Sequence, residues 1–528
     1  MSKPPETRSW WKRWRVPIIV LLFPVFFIIL ELLWEQNDWN PGMLMPVNMA
    51  MTISVMLAPV IIIVWFFLIA RFSRLTRILV LLLLLLFAGA AFALVRLIEF
   101  DGKMRPIVYF RWDELPQDHL LALQVGPLEV PLDASVGSED SPYFRGMYHD
   151  GTTPGSPENS DWARQELQKL WQFPLGGGHA GISVGGMIAV TIEQRDEYEV
   201  IVAYDSMNGK ARWVHQYQSK FHHSEPMGGD GPRTTPVIYQ GMVYVLGAQG
   251  HLHCLQANTG KVMWSTNILV DAGARNLEWG MSGSPLVLQD RIYVNPGIDP
   301  EKNTDRAVIC YDRLTGKQIW ARGNDGAGYA SLMYVKLAGV DQLLQFDAAG
   351  LKGIDLNDGK QLWLYPWRTS FDMNCAQPIV TGEDTVFLSS EVSNGGALVK
   401  VSQEGGQWKV NELWKTKYMG IKFTNAVLHE GYIYGLSNGY LTCINVKTGE
   451  RIWKARQSYG NGQVLIAGSV LVITTEQGQL ALAEANPGQF NELKRLPVFS
   501  GRTWNVPAIA RGRLYMRNHQ EMACIKLW

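Results

Sequence analysis

Apolar and polar positions alternate in two different ways along this chain. Up to about residue 99 the apolar positions are continuous. Three runs, 16–34, 49–70 and 78–98, each hold close to the ~20 residues that a membrane-spanning helix needs. The third contains six consecutive leucines, Leu81 to Leu86. A signal peptide followed by buried core helices accounts poorly for three such runs in 83 residues, with no convincing small-residue cleavage site after the first. From residue 171 onward the pattern becomes short strands of alternating or fully apolar residues, broken by glycine turns.

The second pattern repeats. Asp205-Ser-Met-Asn-Gly209 leads to Trp213, Ala257-Asn-Thr-Gly260 to Trp264, and Asp312-Arg-Leu-Thr-Gly316 to Trp320. Asp355-Leu-Asn-Asp-Gly359 leads to Trp363 and Asn445-Val-Lys-Thr-Gly449 to Trp453, while a degenerate copy ends at Trp414. Counted from Trp171, the tryptophans step by 42, 51, 56, 43, 51 and 39 residues. Each unit also holds a strand, a tight turn and a strand, as in Thr235-Pro-Val-Ile-Tyr-Gln-Gly241-Met-Val-Tyr-Val. A further strand then runs into the glycine turn, and the tryptophan strand makes four. Four short antiparallel strands at this period describe a propeller blade. The units 171–212, 213–263, 264–319, 320–362, 363–413, 414–452, 453–498 and 499–528 number eight. The last lacks an outer strand and the first begins with a surplus one, Leu170 to Phe173. Lending that strand to the last blade closes the ring without a free edge at the seam. The rival is a seven-bladed ring with one unit miscounted.

The expected fold is therefore all-β: an eight-bladed propeller of four-stranded blades over 171–528, preceded by three transmembrane helices in 1–99. Residues 100–170 read as a linker and propeller-associated segment. Its stretch 133–161 is rich in Gly, Ser, Pro and Asp, and 107–130 alternates enough to form strands or to pack on the propeller. Arg8, Lys12, Arg13 and Arg15 precede the first run, Glu35 and Asp38 follow it, and Arg71, Arg74 and Arg77 crowd the link before the third. Positive flanks stay cytoplasmic. The expectation is an inner-membrane protein with a cytoplasmic N-terminus and a periplasmic propeller. Arg96, near the end of the third run, reads as a snorkelling residue.

Composition changes this picture little. Net charge is zero, which removes the basic excess that nucleic-acid binding usually shows. Gly (51) and Trp (20) are abundant, as glycine turns between aromatic strands require. Five cysteines contain no C-x-x-C pair, against zinc knuckles, iron–sulfur clusters and c-type haem. Cys254, Cys310, Cys443 and Cys524 share one repeat position, held by Ala203 and Gly353 in other units, so they read as buried packing thiols. Trp171, Trp213, Trp264, Trp320, Trp363, Trp414 and Trp453 read as blade-packing residues.

The phrase Ala/Asp-x-x-Thr-Gly-Lys-x-x-Trp resembles the PQQ-type propeller repeat. That repeat is shared by quinoprotein dehydrogenases and by the noncatalytic outer-membrane-protein assembly lipoprotein. Longer phrases resemble the membrane or exported PQQ-like propellers of the planctomycete type. They are Phe144-Arg-Gly with Asp150-Gly, Leu170-Trp with Pro174-Leu-Gly-Gly-Gly, Glu193-Gln-Arg, Gly231-Pro-Arg-Thr-Thr-Pro, Trp279-Gly-Met-Ser-Gly-Ser-Pro, Gly328-Tyr-Ala-Ser and Tyr365-Pro-Trp-Arg-Thr-Ser. The resemblance assigns residues 143–528 to that group and supplies a fold but no activity; the preferred reading is a noncatalytic protein-interaction or scaffold module of the cell envelope, with membrane and protein partners and no cofactor. The alternative is a membrane-bound quinoprotein dehydrogenase, dependent on PQQ and calcium, oxidising sugars or alcohols. Such an enzyme needs a calcium site, a carboxylate base, a cation near the quinone and an aromatic floor; the vicinal disulfide of many alcohol-oxidising members is absent here.

Candidate channel or pocket residues are Glu193, Arg195, Arg233, Glu278, Asn295, Arg368, Asp372, Asn374, Arg502 and Asn505, with Trp279, Trp367 and Trp504 able to stack on a planar ligand. The preferred reading is that they orient loops and satisfy buried polar groups; a ligand pocket and redox catalysis rank below it. No catalytic residue is assigned, and no metal site. His222-His223 beside Glu225, and the same-side pair His251 and His253, lack a full ligand set.

Overall fold

The computed structural model describes residues 7–37, 44–70, 72–102, 104–120, 123, 133–153, 166–223, 228–302, 304–390 and 394–528. Asp38, Arg71, Glu225, 124–130 and 154–161, which enter the sequence reading, lie outside these residues.

The chain divides into two compact units, Met1–Glu114 and Leu115–Trp528. The first holds three helices, one over each apolar run: α1 (Thr7–Asn37), α2 (Leu44–Val64, continued by a π-helical turn Trp65–Ile69) and α3 (Arg74–Leu94). Two apolar stretches, Ala50–Ile69 and Arg74–Leu94, are long enough to cross a membrane; in α1 the apolar stretch Trp14–Leu30 is shorter. Trp14 packs on Trp65 with ring centroids 6.0 Å apart. Ser73 caps α3 by accepting from the Thr76 amide at 3.1 Å. The third helix stops four residues earlier than expected. Val95–Phe100 is instead a strand, paired with Pro106–Phe110. Twenty-one residues already give α3 about 32 Å of length, and the β-branched Val95 and Ile98 suit the hairpin. Arg96 thus sits on a strand and donates to the Asp113 carbonyl at 3.2 Å.

In the second unit eight four-stranded sheets follow one another: 183–218, 237–267, 286–322, 333–366, 379–416, 427–458, 463–497, and 508–526 completed by 168–174. The closing strand Gln168–Pro174 pairs with Glu521–Lys526, as the surplus strand at Leu170–Phe173 implied. Successive strands are antiparallel, so each blade's first-to-second turn and its glycine turn lie on one face of the ring. The second-to-third loops and the connectors between blades lie on the other.

The repeat residues explain blade packing. In every blade the outer strand kinks at one residue, immediately after the pair that joins the third strand to the tryptophan position. Cys254, Cys310, Cys443 and Cys524 lie opposite Trp264, Trp320, Trp453 and Trp171; Ala203, Gly353 and Leu398 lie opposite Trp213, Trp363 and Trp414. The four cysteines are buried free thiols, and burial pushes Cys254 up to about 11 and the other three up to about 12. Six of the seven repeat tryptophans reach the next blade's turn, as where Trp213 Nε1 donates to the Ala257 carbonyl at 2.8 Å and Trp264 Nε1 to that of Arg313 at 3.0 Å; Trp363 Nε1 instead donates to Gln342 Oε1 of its own blade at 2.7 Å. The turn must be glycine, because a Cβ on Gly260 (φ +69°) would stand 2.6 Å from the Trp213 ring. Blade 7 carries Lys494 in place of tryptophan. Blade 8 takes its outer strand from 168–174, so it has no glycine turn for a tryptophan to cover.

Residues 133–153 lie in the segment read as linker and propeller-associated. They form a strap along the unpaired inner edges of the first strands. Ser141 bridges to Val184 of blade 1, and the Ile238 amide of blade 2 donates to the Pro142 carbonyl at 2.9 Å. Thr152–Thr153 pairs in parallel with blade 7 at Ile466–Ala467. Arg145 is 3% exposed and donates to the Ala426 carbonyl of blade 6 at 2.6 Å. Asp140 meets Arg511 of blade 8 at 2.8 Å. A segment satisfying inner edges of blades 8, 1 and 2 and then 6 and 7 crosses the axis on the glycine-turn face. It fills donors and acceptors that would otherwise face the axis unpaired.

Candidate functional site

The opposite end of the axis is framed by the connectors. First-strand residues Ser183, Val237, Leu286, Met333, Ile379, Val427, Leu465 and Ala508 occupy equivalent pairing positions in the eight blades. Two residues ahead of six of them runs a belt of hydrogen bonds. The Thr235 amide donates to Ser284 Oγ (2.9 Å), that of Ser284 to Ser331 Oγ (2.9 Å), that of Ser331 to Gln377 Oε1 (3.1 Å) and that of Gln377 to Asn425 Oδ1 (2.9 Å). Asn425 Nδ2 continues to Gln463 Oε1 and Gln463 Nε2 to the Trp504 carbonyl. Asn505 Nδ2 closes from blade 8 to the Ala180 carbonyl of blade 1 at 2.8 Å. The belt locks blade to blade around the axis.

Four residues ahead of the same positions stands a second ring: His179, Arg233, Ser282, Tyr329, Cys375, Phe423, Asn461 and Trp504. Its chemistry is cationic and aromatic. His179 lies 5.4 Å from the Trp504 ring, and Phe423 meets Trp504 edge-on at 4.8 Å. Burial, with Arg233, Arg502 and His519 nearby, holds His179 well below the usual imidazole range. Its Nε2 meets the Gly228 carbonyl at 2.5 Å, while its Nδ1 is buried without a partner. Arg233 donates to the carbonyls of Gly228, Gly229 and Gly231 and covers Phe221 at 4.9 Å; burial brings it down to about 10.

The sequence candidates divide into three groups. Arg233, Trp279, Arg502 and Trp504 reach this mouth. Trp279 packs on Tyr329 (5.7 Å) and Phe371 (6.3 Å). Arg502 lies over the Trp504 ring at 4.4 Å, and Trp504 Nε1 donates to Glu476 Oε1 at 2.7 Å. Glu278 sits exposed at the rim, 3.2 Å from His223 Nε2; Arg368 and Asp372 are exposed connector residues, and partial burial raises Asp372. The second group pins connectors. Asn374 Nδ2 donates to the carbonyls of Asp347 (2.7 Å) and Trp367 (3.0 Å), Asn505 bridges Gly178 and Ala180, and Trp367 Nε1 donates to Ser390 Oγ at 2.7 Å. The third stands at the connector-face ends of second strands. Glu193 is fully buried with Arg195 Nε at 2.5 Å, in the seam where Arg517 of blade 8 donates to Thr191 Oγ1 (2.6 Å) and the Ile192 carbonyl (3.0 Å). Asn295 follows the second strand of blade 3, Arg291–Val294, its amide buried without a hydrogen-bond partner.

Sequence reasoning missed several residues. Arg517 and Lys352 are buried cations; Lys352 lies between Asp325 and Asp347, at 2.9 Å from the latter, and burial holds the Asp347 carboxyl up to about 6. His215 joins His251 and His253 from the neighbouring blade, its ring 5.2 Å from His253. Only register, unknown from sequence, unites them. His222 and His223 turn to different carboxylates, Asp230 and Glu278. A cleft of about 660 Å³ lies elsewhere, between strap residues Ala134–Val136 and Tyr143 and the blade 2 turns at Tyr239–Met242 and Gln256–Asn258.

A quinone held with a metal ion fits these residues poorly. Arg502 occupies a face of Trp504, and Trp367 is 4% exposed with Lys415 over it at 4.6 Å. Glu476 spends its oxygens on Trp504 and on the Asn461 amide (3.1 Å). Among the described residues no group of three or more His, Cys, Asp or Glu is arranged to hold a metal.

Comparison with known proteins places the chain on a common architecture. A family model, PQQ_2, described as outer membrane protein assembly factor BamB, matches residues 162–267 and 199–455. The quinohemoprotein alcohol dehydrogenase ADH-IIG of Pseudomonas putida is 27% identical over 165 residues, 30% of this chain and 22% of that protein. The 1-butanol dehydrogenase (cytochrome c) of Thauera butanivorans is 25% identical over 146 residues, 27% of this chain and 20% of that protein. The chain thus spans about a fifth of these relatives' length. The crystal structure of the quinohemoprotein alcohol dehydrogenase from Comamonas testosteroni superposes with a TM-score of 0.53 at 12% identity, covering 75% of this chain and 81% of that one. At that identity the likeness concerns the fold.

Proposed function

We propose that this chain, which belongs to the PQQ_2 family of propellers, is a membrane-tethered scaffold that binds protein partners in the cell envelope. One observation carries the reading: the aromatic platform at the open mouth is covered by the protein's own cation, Arg502 lying over Trp504 at 4.4 Å, and Trp367, which pins a connector, is buried with Lys415 over it at 4.6 Å. The belt and the strap make the ring rigid, and rigid elements suit a recognition surface. The apolar stretches 50–69 and 74–94 support a membrane tether. The positive residues Arg8, Lys12, Arg13 and Arg15 support a cytoplasmic N-terminus, with the propeller in the periplasm.

The test is affinity purification of the full chain from detergent-solubilised native membranes. A reproducible, stoichiometric envelope protein is expected, and its absence would count decisively against the scaffold.

A further inference from the structure

Blade 2 departs from the repeat at two positions, and both line the cleft of about 660 Å³ beside the strap. The first opens the glycine turn. Blades 1, 3, 4 and 6 carry Asp205, Asp312, Asp355 and Asn445 there, and each side chain accepts from the amide two residues on, at 2.8, 3.2, 2.7 and 2.8 Å. Blade 2 carries Gln256, one methylene longer. Its Oε1 accepts from the Thr259 hydroxyl at 2.9 Å, which leaves Nε2 as a donor. The second departure is Tyr239. The equivalent pairing positions hold Gly185, Leu288, Val335, Ala467 and Ala510 in blades 1, 3, 4, 7 and 8. Departures from a local rule gather at functional sites.

No residue that lines the cleft carries a charge. The charged neighbours are engaged elsewhere: Arg313 with Gln240 Oε1 at 2.8 Å and the Tyr244 hydroxyl at 3.1 Å, and Asp133 with the Ser135 amide at 2.9 Å. Lys261 follows the turn and is not part of the lining. Two lining tyrosines are each braced. Tyr143 stacks on His149 with ring centroids 4.8 Å apart, and Arg313 lies over Tyr239 at 5.3 Å. Burial and the Tyr239 phenol together raise Tyr143 above the usual phenol range. The Tyr143 hydroxyl and the Asn258 amide make no hydrogen bond to the described residues.

We infer that this cleft binds a neutral saccharide. A sugar ring presents apolar C–H faces and a rim of hydroxyls that donate and accept. Braced tyrosine rings offer flat apolar surface to the faces. The carboxamides of Gln240, Gln256 and Asn258 and the two phenols offer donors and acceptors to the rim. An anion would meet no lining cation and a cation no lining carboxylate, so either would lose hydration without compensation. The volume lies within the ~300–1,000 Å³ of small-ligand pockets. This site goes beyond the scaffold reading and does not depend on it.

The test is saturation-transfer NMR on the full chain, solubilised in a detergent without a sugar headgroup, with cellobiose, maltose and N,N′-diacetylchitobiose as probes. At least one should bind saturably with a Kd of about 1 mM or tighter. Gln256→Asn writes in the blade 6 residue and restores the amide cap of the turn. It should leave melting unchanged or raised while weakening binding roughly tenfold. Tyr239→Leu writes in the blade 3 residue and should weaken binding as much. Should it also lower melting, Gln256→Asn still decides. Wild-type affinity in Gln256→Asn, tighter binding of glucose 6-phosphate than of every neutral probe, or no saturable transfer from any probe up to ~10 mM would each overturn the assignment. Once a disaccharide binds, cosedimentation with purified cell-wall sacculi assigns the source. Pelleting that the disaccharide displaces marks a wall glycan, absence of pelleting marks a free sugar, and both uphold the site.

Discussion

Replacing Gly260 by alanine isolates the contact that joins one blade to the next. Gly260 has φ +69°, and an added Cβ would lie 2.6 Å from Trp213, which is 3% exposed and donates to the same turn at Ala257. Two costs follow. A left-handed conformation costs an L-residue about 1–2 kcal/mol, and forcing a methyl into a packed interface costs about 1–3 kcal/mol more. Gly241, in another turn of the same blade on the same face, separates them: its φ is +74°, but a Cβ there would meet nothing within 4 Å. Gly241→Ala should therefore lose only ~1–2 kcal/mol and Gly260→Ala ~2–5 kcal/mol. Equilibrium denaturant unfolding of the detergent-solubilised full chain, followed by tryptophan fluorescence, reads the difference as a shift in midpoint at constant slope. Equal shifts would refute the claim that the glycine turn is a socket for the preceding tryptophan.

Three further outcomes are expected. Gln377→Ala leaves both the amide and the carbonyl of Ser331 without the partners they have at 3.1 and 2.7 Å, costing about 1–3 kcal/mol per orphaned group in the same unfolding assay. Cys375 is the least buried of the five thiols, so in the native protein a thiol reagent should modify it first, with the other four reacting only after unfolding. Burial brings His253 down to about 3 and also lowers His215 and His251. The unfolded chain then takes up protons near pH 6.5 while the folded chain does not. The histidine contribution to stability should be level above about pH 7 and fall as pH drops from 6.5 toward about 3, by up to ~1.4 kcal/mol per pH unit for His253; the difference between the pH profiles of the parent and His253→Phe isolates it.

Much of the ring was legible because its landmarks recur. A tryptophan after a glycine turn carries a reason, the socket, that repeats at a readable period, and the surplus strand at Leu170–Phe173 announced the closure. The cysteine position was legible because Ala203 and Gly353 replace cysteine without changing the pattern. The strap was not legible. Its residues pair through backbone groups with strands that lie 40 to over 300 residues away, and glycine- and proline-rich composition resembles a linker whether or not it is tied down. The candidate site was legible only as a set of polar residue types. Asn374 and Asn505 look in sequence like Arg233 and Trp504, yet the first two hold connectors and the second two face the mouth. That distinction depends on register and on the side chain's partner. The helix α3 was overextended because Val95 and Ile98 satisfy an apolar run and a strand equally well.

The most direct test of the central claim is reconstitution of the purified full chain with PQQ and calcium, followed by the visible spectrum and by dye reduction with alcohols and sugars. A scaffold in which Arg502 covers Trp504 at the mouth and Lys415 lies over the buried Trp367 predicts no cofactor retained through gel filtration and no dye reduction above the buffer rate. A stoichiometric quinone spectrum with substrate-dependent dye reduction would contradict it.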